Sequence, residues 1–176
     1  MNPKLIKNLL ESKKDKVCFF DFDETLFLIP TINASKILWK QATGKDFDES
    51  KYCFHDSPDS FNDSIIPFEL KRSVYKEYLR VKDDSITVIL THRKKHLKKE
   101  MKWILDRHGI KMDYFVMENN NGSRTNKAVM ILDFLKDNNL KPKMIEVWDD
   151  KADVLIDLDK FQQQYGKDFE IKIHRT

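Results

Sequence analysis

Residues 17–27 read VCFFDFDETLF, and this stretch decides the expected fold. Four apolar residues end abruptly in two aspartates one residue apart, Asp21 and Asp23, which are followed by Glu24 and Thr25. A short continuous apolar run is typical of a strand that is buried on both faces of a parallel sheet. In an open parallel sheet, ligands bind beyond the carboxyl ends of the strands. The stretch therefore predicts a buried strand that delivers carboxylates to a binding site.

The composition indicates a single domain over residues 1–176. Hydrophobic residues make up 40% of the chain and charged residues 35%, which suits a core beneath a heavily solvated surface. The net charge of +3 is too balanced to indicate nucleic-acid binding by itself. Cys18 and Cys53 cannot form a disulfide framework. Residues 1–16 have the spacing of an amphipathic helix rather than a signal peptide, and no stretch approaches a membrane span, so we expect a soluble, cytoplasmic protein.

Short apolar runs alternate with helical patterns along the chain. The predicted strands are VCFF (17–20), ITVIL (86–90), YFVM (114–117), MIEVW (144–148) and FEIKI (169–173). The predicted helices are 34–44, 67–80, 95–109 and 126–138. This alternation predicts an α/β fold, a three-layer sandwich around a parallel five-stranded sheet. Residues 28–66 are rich in Asp, Ser and Asn, and we expect this insertion to form a small flap or minimal cap with one helix.

Polar side chains stand at the ends of several predicted strands. Thr91 follows the second strand, and Asp149 and Asp150 follow the fourth. Together with Asp21 and Asp23, they are expected to meet at one edge of the sheet. Clustered carboxylates repel one another, and their burial is costly without a counter-charge. Because Mg²⁺ prefers oxygen ligands and keeps part of its shell for water and phosphate, the pattern predicts a Mg²⁺ site.

The same residues resemble the four motifs of the haloacid dehalogenase (HAD) superfamily of phosphohydrolases. FDFDETLF resembles the first motif, Asp-x-Asp-x-Thr, and ILTHR resembles the second, an apolar strand that ends in Thr. Lys127 fits the third motif, and WDDKAD resembles the acidic fourth. The resemblance covers about residues 16–160 and implies a Rossmann-like sheet with strand order 5-4-1-2-3. LFLIPTINASKILWKQATG further resembles the HAD domain of Swiss Army Knife RNA repair-like proteins.

The resemblance implies a phosphatase that acts through an aspartyl-phosphate intermediate. Asp21 is expected to attack phosphorus, and Asp23 is expected to serve first as general acid and then as general base. Thr91 and Lys127 are expected to bind the phosphoryl group, and Lys127 also to restrain Asp21. Arg124 lies close to Lys127 in the sequence and is the alternative for the third motif.

The resemblance also implies the ligands of the Mg²⁺ ion. Asp21, the backbone carbonyl of Asp23, Asp149 and Asp150 are expected to hold the metal. Asp153 lies four residues after Asp149, which is the spacing of an alternative fourth motif. The second acid of this motif is therefore Asp150 or Asp153, and adjacency favours Asp150.

A basic run follows the second motif and consists of Arg93, Lys94, Lys95, Lys98 and Lys99. The run could bind a polyanion such as an RNA or DNA end, or it could be a solvated helix face. Arg93 is nearest to the predicted site and is the best candidate in the run for contacting substrate. The expected partner is a phosphorylated substrate such as a nucleic-acid end or nucleotide, and no membrane or partner protein is implied.

Two other functions stay open on the sequence alone. Glu24 occupies a position where many superfamily members have Gly, and the resulting DETL pattern occurs in a protein-phosphatase branch. The second alternative is a non-catalytic phosphate-binding or interaction module on the same fold. His92 could be a ligand or a polar residue at a strand end, and His55 in the insertion is expected at the surface.

Overall fold

The structure, a computed structural model, describes residues 15–120 and 125–176. The strands are β1 (Lys16–Phe20), β2 (Phe27–Leu28), β3 (Glu69–Leu70), β4 (Ile86–Lys94), β5 (Tyr114–Glu118), β6 (Met144–Asp149) and β7 (Glu170–Arg175). The α-helices are α1 (Ile32–Thr43), α2 (Arg72–Val81), α3 (Lys98–Arg107), α4 (Lys127–Asp137) and α5 (Ala152–Tyr165). Five strands form one parallel sheet in the order β5-β4-β1-β6-β7. When only the five strands of this sheet are numbered along the chain, the order is 3-2-1-4-5, which is the predicted order 5-4-1-2-3 seen from the opposite edge.

Strand β1 lies at the centre of the sheet. Phe20 is paired with Ile89 of β4 on one side and with Trp148 of β6 on the other. Because these strands run parallel, their carboxyl ends lie side by side. The residues that follow β1 and those that end β4 and β6 therefore share one edge of the sheet, which is where the sequence predicted the site.

Two apolar layers cover the two faces of the sheet. Cys18 and Phe20 point to one face, where α2, α3 and part of the insertion pack, and Val17 and Phe19 point to the other, where α4 and α5 pack. All four of these β1 side chains are fully buried. The result is the predicted three-layer α/β sandwich, and the β1 run is continuously apolar because both faces of the strand are covered.

The insertion leaves and rejoins the sandwich at one place. Strands β2 and β3 form an antiparallel pair in which Leu28 lies opposite Glu69. Between them the chain forms α1 and two short 3₁₀ helices, Phe54–Asp56 and Pro58–Phe61. Gly44 ends α1 in the left-handed conformation, with a φ of 72°, which glycine adopts without steric cost. The insertion is thus a small folded segment closed by a two-stranded stem, and its role as a flap or minimal cap stays a prediction.

The largest differences from the sequence-based prediction are at three elements. Strand β4 runs to Lys94, four residues beyond the predicted end. Helix α2 begins at Arg72 rather than at residue 67, because residues 69 and 70 pair with β2. Helix α5 was not predicted. The helix predicted at the amino terminus lies largely outside the described residues, and a single domain over residues 1–176 stays a prediction.

No helix within residues 15–120 and 125–176 is both long enough and apolar enough to cross a membrane.

Candidate active site

Asp21 is the first residue beyond the central strand and is only 4% exposed. Its backbone N–H donates to the carbonyl of Trp148, 3.0 Å away, so the neighbouring strand fixes the position of its backbone. Burial, together with repulsion from Asp149 and Asp23, outweighs the attraction of Lys127 and raises the pKa of Asp21 to about 7. A carboxylate in this environment requires positive charge nearby if it is to stay ionised at neutral pH.

Lys127 supplies part of that charge. It is the first residue of α4, it is 2% exposed, and its Nζ lies 2.9 Å from Oδ1 of Asp21 and 2.6 Å from Oδ2 of Asp149. Burial lowers the pKa of Lys127, but the two carboxylates outweigh this effect and hold the pKa above its usual value. The side chain of Asn126 accepts a hydrogen bond from the N–H of Ala128 and so caps the helix that positions the lysine.

Three carboxylates converge beside this ion pair. Single oxygens of Asp21, Asp149 and Asp150 all lie within 4.8 Å of one another. Asp149 is fully buried, and Asp150 is partly exposed and accepts a hydrogen bond from Thr25 Oγ1 at 3.4 Å. Oxygen donors from carboxylates, with one side open, are the ligands that Mg²⁺ prefers. The cluster fits a divalent cation, and it contains Asp150 rather than the alternative Asp153.

The two candidates for the fourth motif can be separated by a matched pair of variants. We expect Asp150→Asn to raise the Mg²⁺ concentration needed for half-maximal thermal stabilisation by at least about tenfold, because a charged oxygen ligand is lost. We expect Asp153→Asn, on the exposed first turn of α5, to change it by less than about twofold. Mg²⁺ titrations of thermal unfolding measure both, and the opposite ranking would assign the metal site to Asp153.

Asp23 and the residues after it form a tight turn. The N–H of Glu24 donates to the carbonyl of Phe27 at 2.8 Å, and the N–H groups of Leu26 and Phe27 both donate to the carbonyl of Phe22. Glu24 adopts a φ of 60°, in the left-handed region that glycine favours. The Asp23 carboxylate, which precedes this turn, lies close enough to Asp21 to raise the pKa of Asp21.

This geometry predicts different stabilities for two variants at Glu24. Both Glu24→Gly and Glu24→Ala remove the carboxylate that accepts a hydrogen bond from the N–H of Ile29 at 3.2 Å. Only glycine relieves the strain of the positive φ, so we expect Glu24→Gly to be about 1 kcal/mol more stable than Glu24→Ala. Chemical denaturation measures the difference. Equal stabilities would show that the turn relaxes when the side chain is shortened.

Strand β4 brings Thr91 to the same edge through an irregular segment. Thr91 is paired with Met117, but Lys94 is already paired with Glu118, so β4 carries a bulge between them. Thr91 is buried, and its Oγ1 accepts a hydrogen bond from the N–H of Arg93 at 3.2 Å. Because side chains alternate along a strand, Arg93 shares the face of Thr91, whose side chain is buried. Arg93 therefore points inward, and the bulge marks where the pairing of β4 with β5 becomes irregular.

Arg93 is 3% exposed and lies inside the protein rather than at its surface. Its Nη2 and Nε lie 2.7 Å and 3.0 Å from the two carboxylate oxygens of Asp23. Its Nη1 donates to the carbonyl of His55 at 2.6 Å and to Ser60 Oγ at 2.9 Å. Burial by itself raises the pKa of Asp23, but Arg93 outweighs it and holds that pKa below the usual value.

His92 points to the other side of β4. Its Nε2 lies 2.9 Å from the carbonyl of Thr125, directly before α4. Glu118 accepts hydrogen bonds from the backbone N–H and the hydroxyl of the same threonine. These contacts hold the start of α4, and hence Lys127, against the sheet.

The structure brings these predicted site residues together in two groups. One group contains Asp21, Lys127, Asp149 and Asp150. The other is the ion pair of Asp23 and Arg93. Arg124, the alternative to Lys127, lies outside the described residues. The roles assigned to all of these residues stay predictions.

No pattern in the sequence indicates that residues of the insertion contact Arg93. His55 is partly buried rather than exposed, and burial with the nearby Arg93 lowers its pKa to about 4. Ser60 is buried and contacts Arg93. Both residues lie in single-turn 3₁₀ helices whose partners depend on tertiary structure, so periodicity could not have found them.

Comparison with protein-family models and with curated proteins finds no match for this sequence. Solved structures do match. A chain of the Pnkp1/Rnl/Hen1 RNA repair complex has a TM-score of 0.58 and 14% identity over 92% of this chain, which spans only 42% of that one. A haloacid dehalogenase-like hydrolase from Streptococcus pneumoniae gives a TM-score of 0.52, with 13% identity over 92% of this chain and 95% of that one. This chain has the HAD fold.

A third match has a similar extent. The HAD domain of the effector protein Lem4 from Legionella pneumophila gives a TM-score of 0.56, with 13% identity over 92% of this chain and 85% of that one. All three likenesses extend over most of the HAD-fold chain. At these identities they show the fold, and the chemistry has to be argued from the residues.

Proposed function

We propose that the HAD-fold chain is a Mg²⁺-dependent phosphatase that acts through an aspartyl-phosphate on Asp21. The observation that carries the proposal is the position of Lys127, buried between Asp21 and Asp149 at the edge where the acids converge. Retaining a buried lysine and three carboxylates is costly for a structural role alone, because charges resist burial. Such groups are expected where a phosphoryl group and its counter-ions have to be held.

The proposed roles are those that the family resemblance implies, and the positions of Asp21 and Lys127 support them. Arg93 favours the ionised form of Asp23, and the negative charge of a bound phosphoryl group opposes this effect by raising the pKa of Asp23. An Asp21 oxygen attacks phosphorus, the bond from phosphorus to the leaving oxygen breaks, and protonated Asp23 donates its proton to that oxygen. Water then attacks the phosphoryl group on Asp21 while Asp23 accepts its proton, which releases phosphate and restores both aspartates. Lys127 and the hydroxyl of Thr91 contact the phosphoryl oxygens. Bound Mg²⁺ would keep the carboxylates ionised and neutralise negative charge on the transferring group.

A phosphorylated nucleic-acid end is the substrate that we propose. Three exposed lysines lie beside the carboxyl end of β4 and offer positive charge to a polyanion, namely Lys95, Lys98 and Lys99. The rings of Tyr52 and His96 stack with their centroids 5.0 Å apart and add an aromatic surface of the kind that stacks on bases. The fold likeness to a chain of an RNA repair complex supports the same class.

The test compares phosphate release from three kinds of substrate with and without Mg²⁺. p-Nitrophenyl phosphate tests for phosphatase chemistry, and oligonucleotides with 3′- or 5′-phosphate test for end processing. Phosphopeptides, which the DETL pattern favours, are the competing substrate. We expect EDTA to remove all activity and oligonucleotides to give the highest kcat/KM.

Each outcome of this comparison decides between the alternatives. Higher kcat/KM on phosphopeptides would replace the nucleic-acid proposal with a protein phosphatase. Activity on p-nitrophenyl phosphate alone would support the proposed phosphatase reaction and reject a nucleic-acid end as its substrate. Phosphate release from no substrate by the folded protein, combined with tight binding of phosphorylated oligonucleotides, would indicate a binding module.

A further inference from the structure

We infer that Arg93 is a positioning residue that aims the Asp23 carboxylate, and that residues 54–61 of the insertion hold Arg93 in place. The inference rests on the proposed function, because Asp23 is the acid and base of that reaction. It assigns the insertion a part in the chemistry, whereas a cap over a site normally controls access. It also gives Arg93 a role other than the substrate contact that the sequence suggested.

The contact between Arg93 and Asp23 is of the kind that fixes a carboxylate in direction as well as in charge. Nη2 and Nε of the guanidinium face the two oxygens of Asp23 at 2.7 Å and 3.0 Å. A bidentate pair of this type restrains rotation of the carboxylate, which a point charge cannot do. Asp23 stands at the start of a tight turn and is held by Arg93 from the neighbouring strand, so its orientation depends on β4.

The remaining donors of Arg93 are directed at the insertion. Nη1 lies 2.6 Å from the carbonyl of His55 and 2.9 Å from Ser60 Oγ, and the guanidinium carbon lies 4.7 Å from the centre of the Phe61 ring. Ser60 Oγ donates in turn to the carbonyl of Ser57 at 2.8 Å. Because Arg93 is buried, its contacts are shielded from water, and each hydrogen bond restrains the guanidinium more strongly than it would at the surface.

A second arginine allows attachment of the insertion to be distinguished from positioning of Asp23. Arg107 of α3 also joins the body of the protein to the insertion, through an ion pair with Asp63, but Arg107 is exposed. Arg93 and Arg107 therefore both tie the insertion down, and of these two only Arg93 touches a residue of the proposed reaction. If the insertion needed nothing more than attachment, the two arginines would be equivalent.

The experiment uses the leaving-group dependence of kcat/KM. p-Nitrophenolate departs without a proton, whereas the alkoxide of glycerol phosphate needs one from Asp23. We expect Arg93→Met to lower kcat/KM for glycerol phosphate by about 100-fold and for p-nitrophenyl phosphate by less than about fivefold, since general acid catalysis contributes about 10² to 10⁴. Asp23→Asn is the reference and should show the same selectivity, more strongly. Arg107→Met should show no selectivity.

Two milder variants keep the test decisive if Arg93→Met does not fold, as judged by circular dichroism. Ser60→Ala removes one restraint on Arg93, and we expect a selective loss of about threefold to tenfold on glycerol phosphate, a fraction of the general-acid contribution. Arg93→Lys keeps the charge without the bidentate fork, and we expect it to retain most of the selective defect.

Equal losses on both substrates, or a change in KM alone, would overturn the inference and favour direct contact between Arg93 and the phosphoryl group. The proposed function fails separately, if the wild-type protein releases phosphate from neither substrate, and the inference then fails with it. A third outcome is that the wild-type protein is active and that Arg93→Met and Ser60→Ala lower its activity equally on both substrates. This outcome would support the phosphatase proposal and reject only the positioning role.

Discussion

Asp21→Asn is expected to lower Mg²⁺-dependent phosphate release by at least about a thousandfold on every substrate, because an amide cannot act as the nucleophile. The variant is expected to fold, since Asn has nearly the same shape and Lys127 keeps its 2.6 Å contact with Asp149. Burial disfavours the Asp21 carboxylate, whose pKa is raised to about 7, so a neutral residue is tolerated at this position. Initial rates and thermal unfolding of the purified variant measure both effects.

Two controls make the Asp21 result specific. Asp21→Ala excludes activity from slow deamidation of the asparagine back to aspartate. Asp133→Asn, on α4 and away from the carboxylate cluster, should leave the rate unchanged. Residual activity above roughly a tenth of wild type in both Asp21 variants would show that another group attacks phosphorus, and the proposed mechanism would be abandoned.

Lys127→Met is expected to have the largest combined effect on stability and activity. The substitution leaves Asp21 and Asp149 buried without the ammonium group that lies between them. Removing one partner of a buried ion pair costs about 3–5 kcal/mol, and removing a group that stabilises transition-state charge costs about 10² to 10³ in rate. We therefore expect a large fall in the free energy of unfolding in EDTA and a rate at most about one-hundredth of wild type.

Added Mg²⁺ distinguishes the electrostatic cause from a packing defect. Without Lys127 the acidic cluster has one more uncompensated negative charge, so Mg²⁺ should raise the unfolding temperature of the variant by more than it raises that of wild type. Lys136→Met, near the exposed end of the same helix, is the matched control and should change neither quantity. An equal response to Mg²⁺ in both proteins would argue that the metal binds elsewhere.

The sequence was informative wherever a buried strand ends in a polar residue. Asp21, Thr91 and Asp149 follow apolar runs, and short continuous runs of this kind are typical of the central strands of a parallel sheet. The order of the sheet followed from the family resemblance, and the edge at which the acids meet followed from the direction of the strands. Both are confirmed by the structure.

Arg93 shows where this reasoning stopped. In the sequence it belongs to a basic run, and a basic run is normally solvated, so its burial could not be expected from charge or periodicity. Strand β4 continues to Lys94 and places Arg93 on its buried face, whereas Lys95, Lys98 and Lys99 lie beyond the strand and are exposed. Helix α5 was missed although Val154, Leu158 and Phe161 recur at helical spacing, so the sequence does carry a signal for it.

The stem formed by β2 and β3 has a consequence for how this fold can change. Because Leu28 and Glu69 are already neighbours, lengthening the chain between them would cost little loop-closure entropy, whereas shortening or exchanging it would also have to replace the buried apolar side chains that the insertion packs on the sheet. In topology, the insertion is a removable module. It cannot be removed without a chemical effect, because the guanidinium of Arg93 would lose two hydrogen-bond acceptors, the carbonyl of His55 and the hydroxyl of Ser60. A chain that exchanges this module for another must therefore supply new acceptors for the arginine or lose the arginine with it.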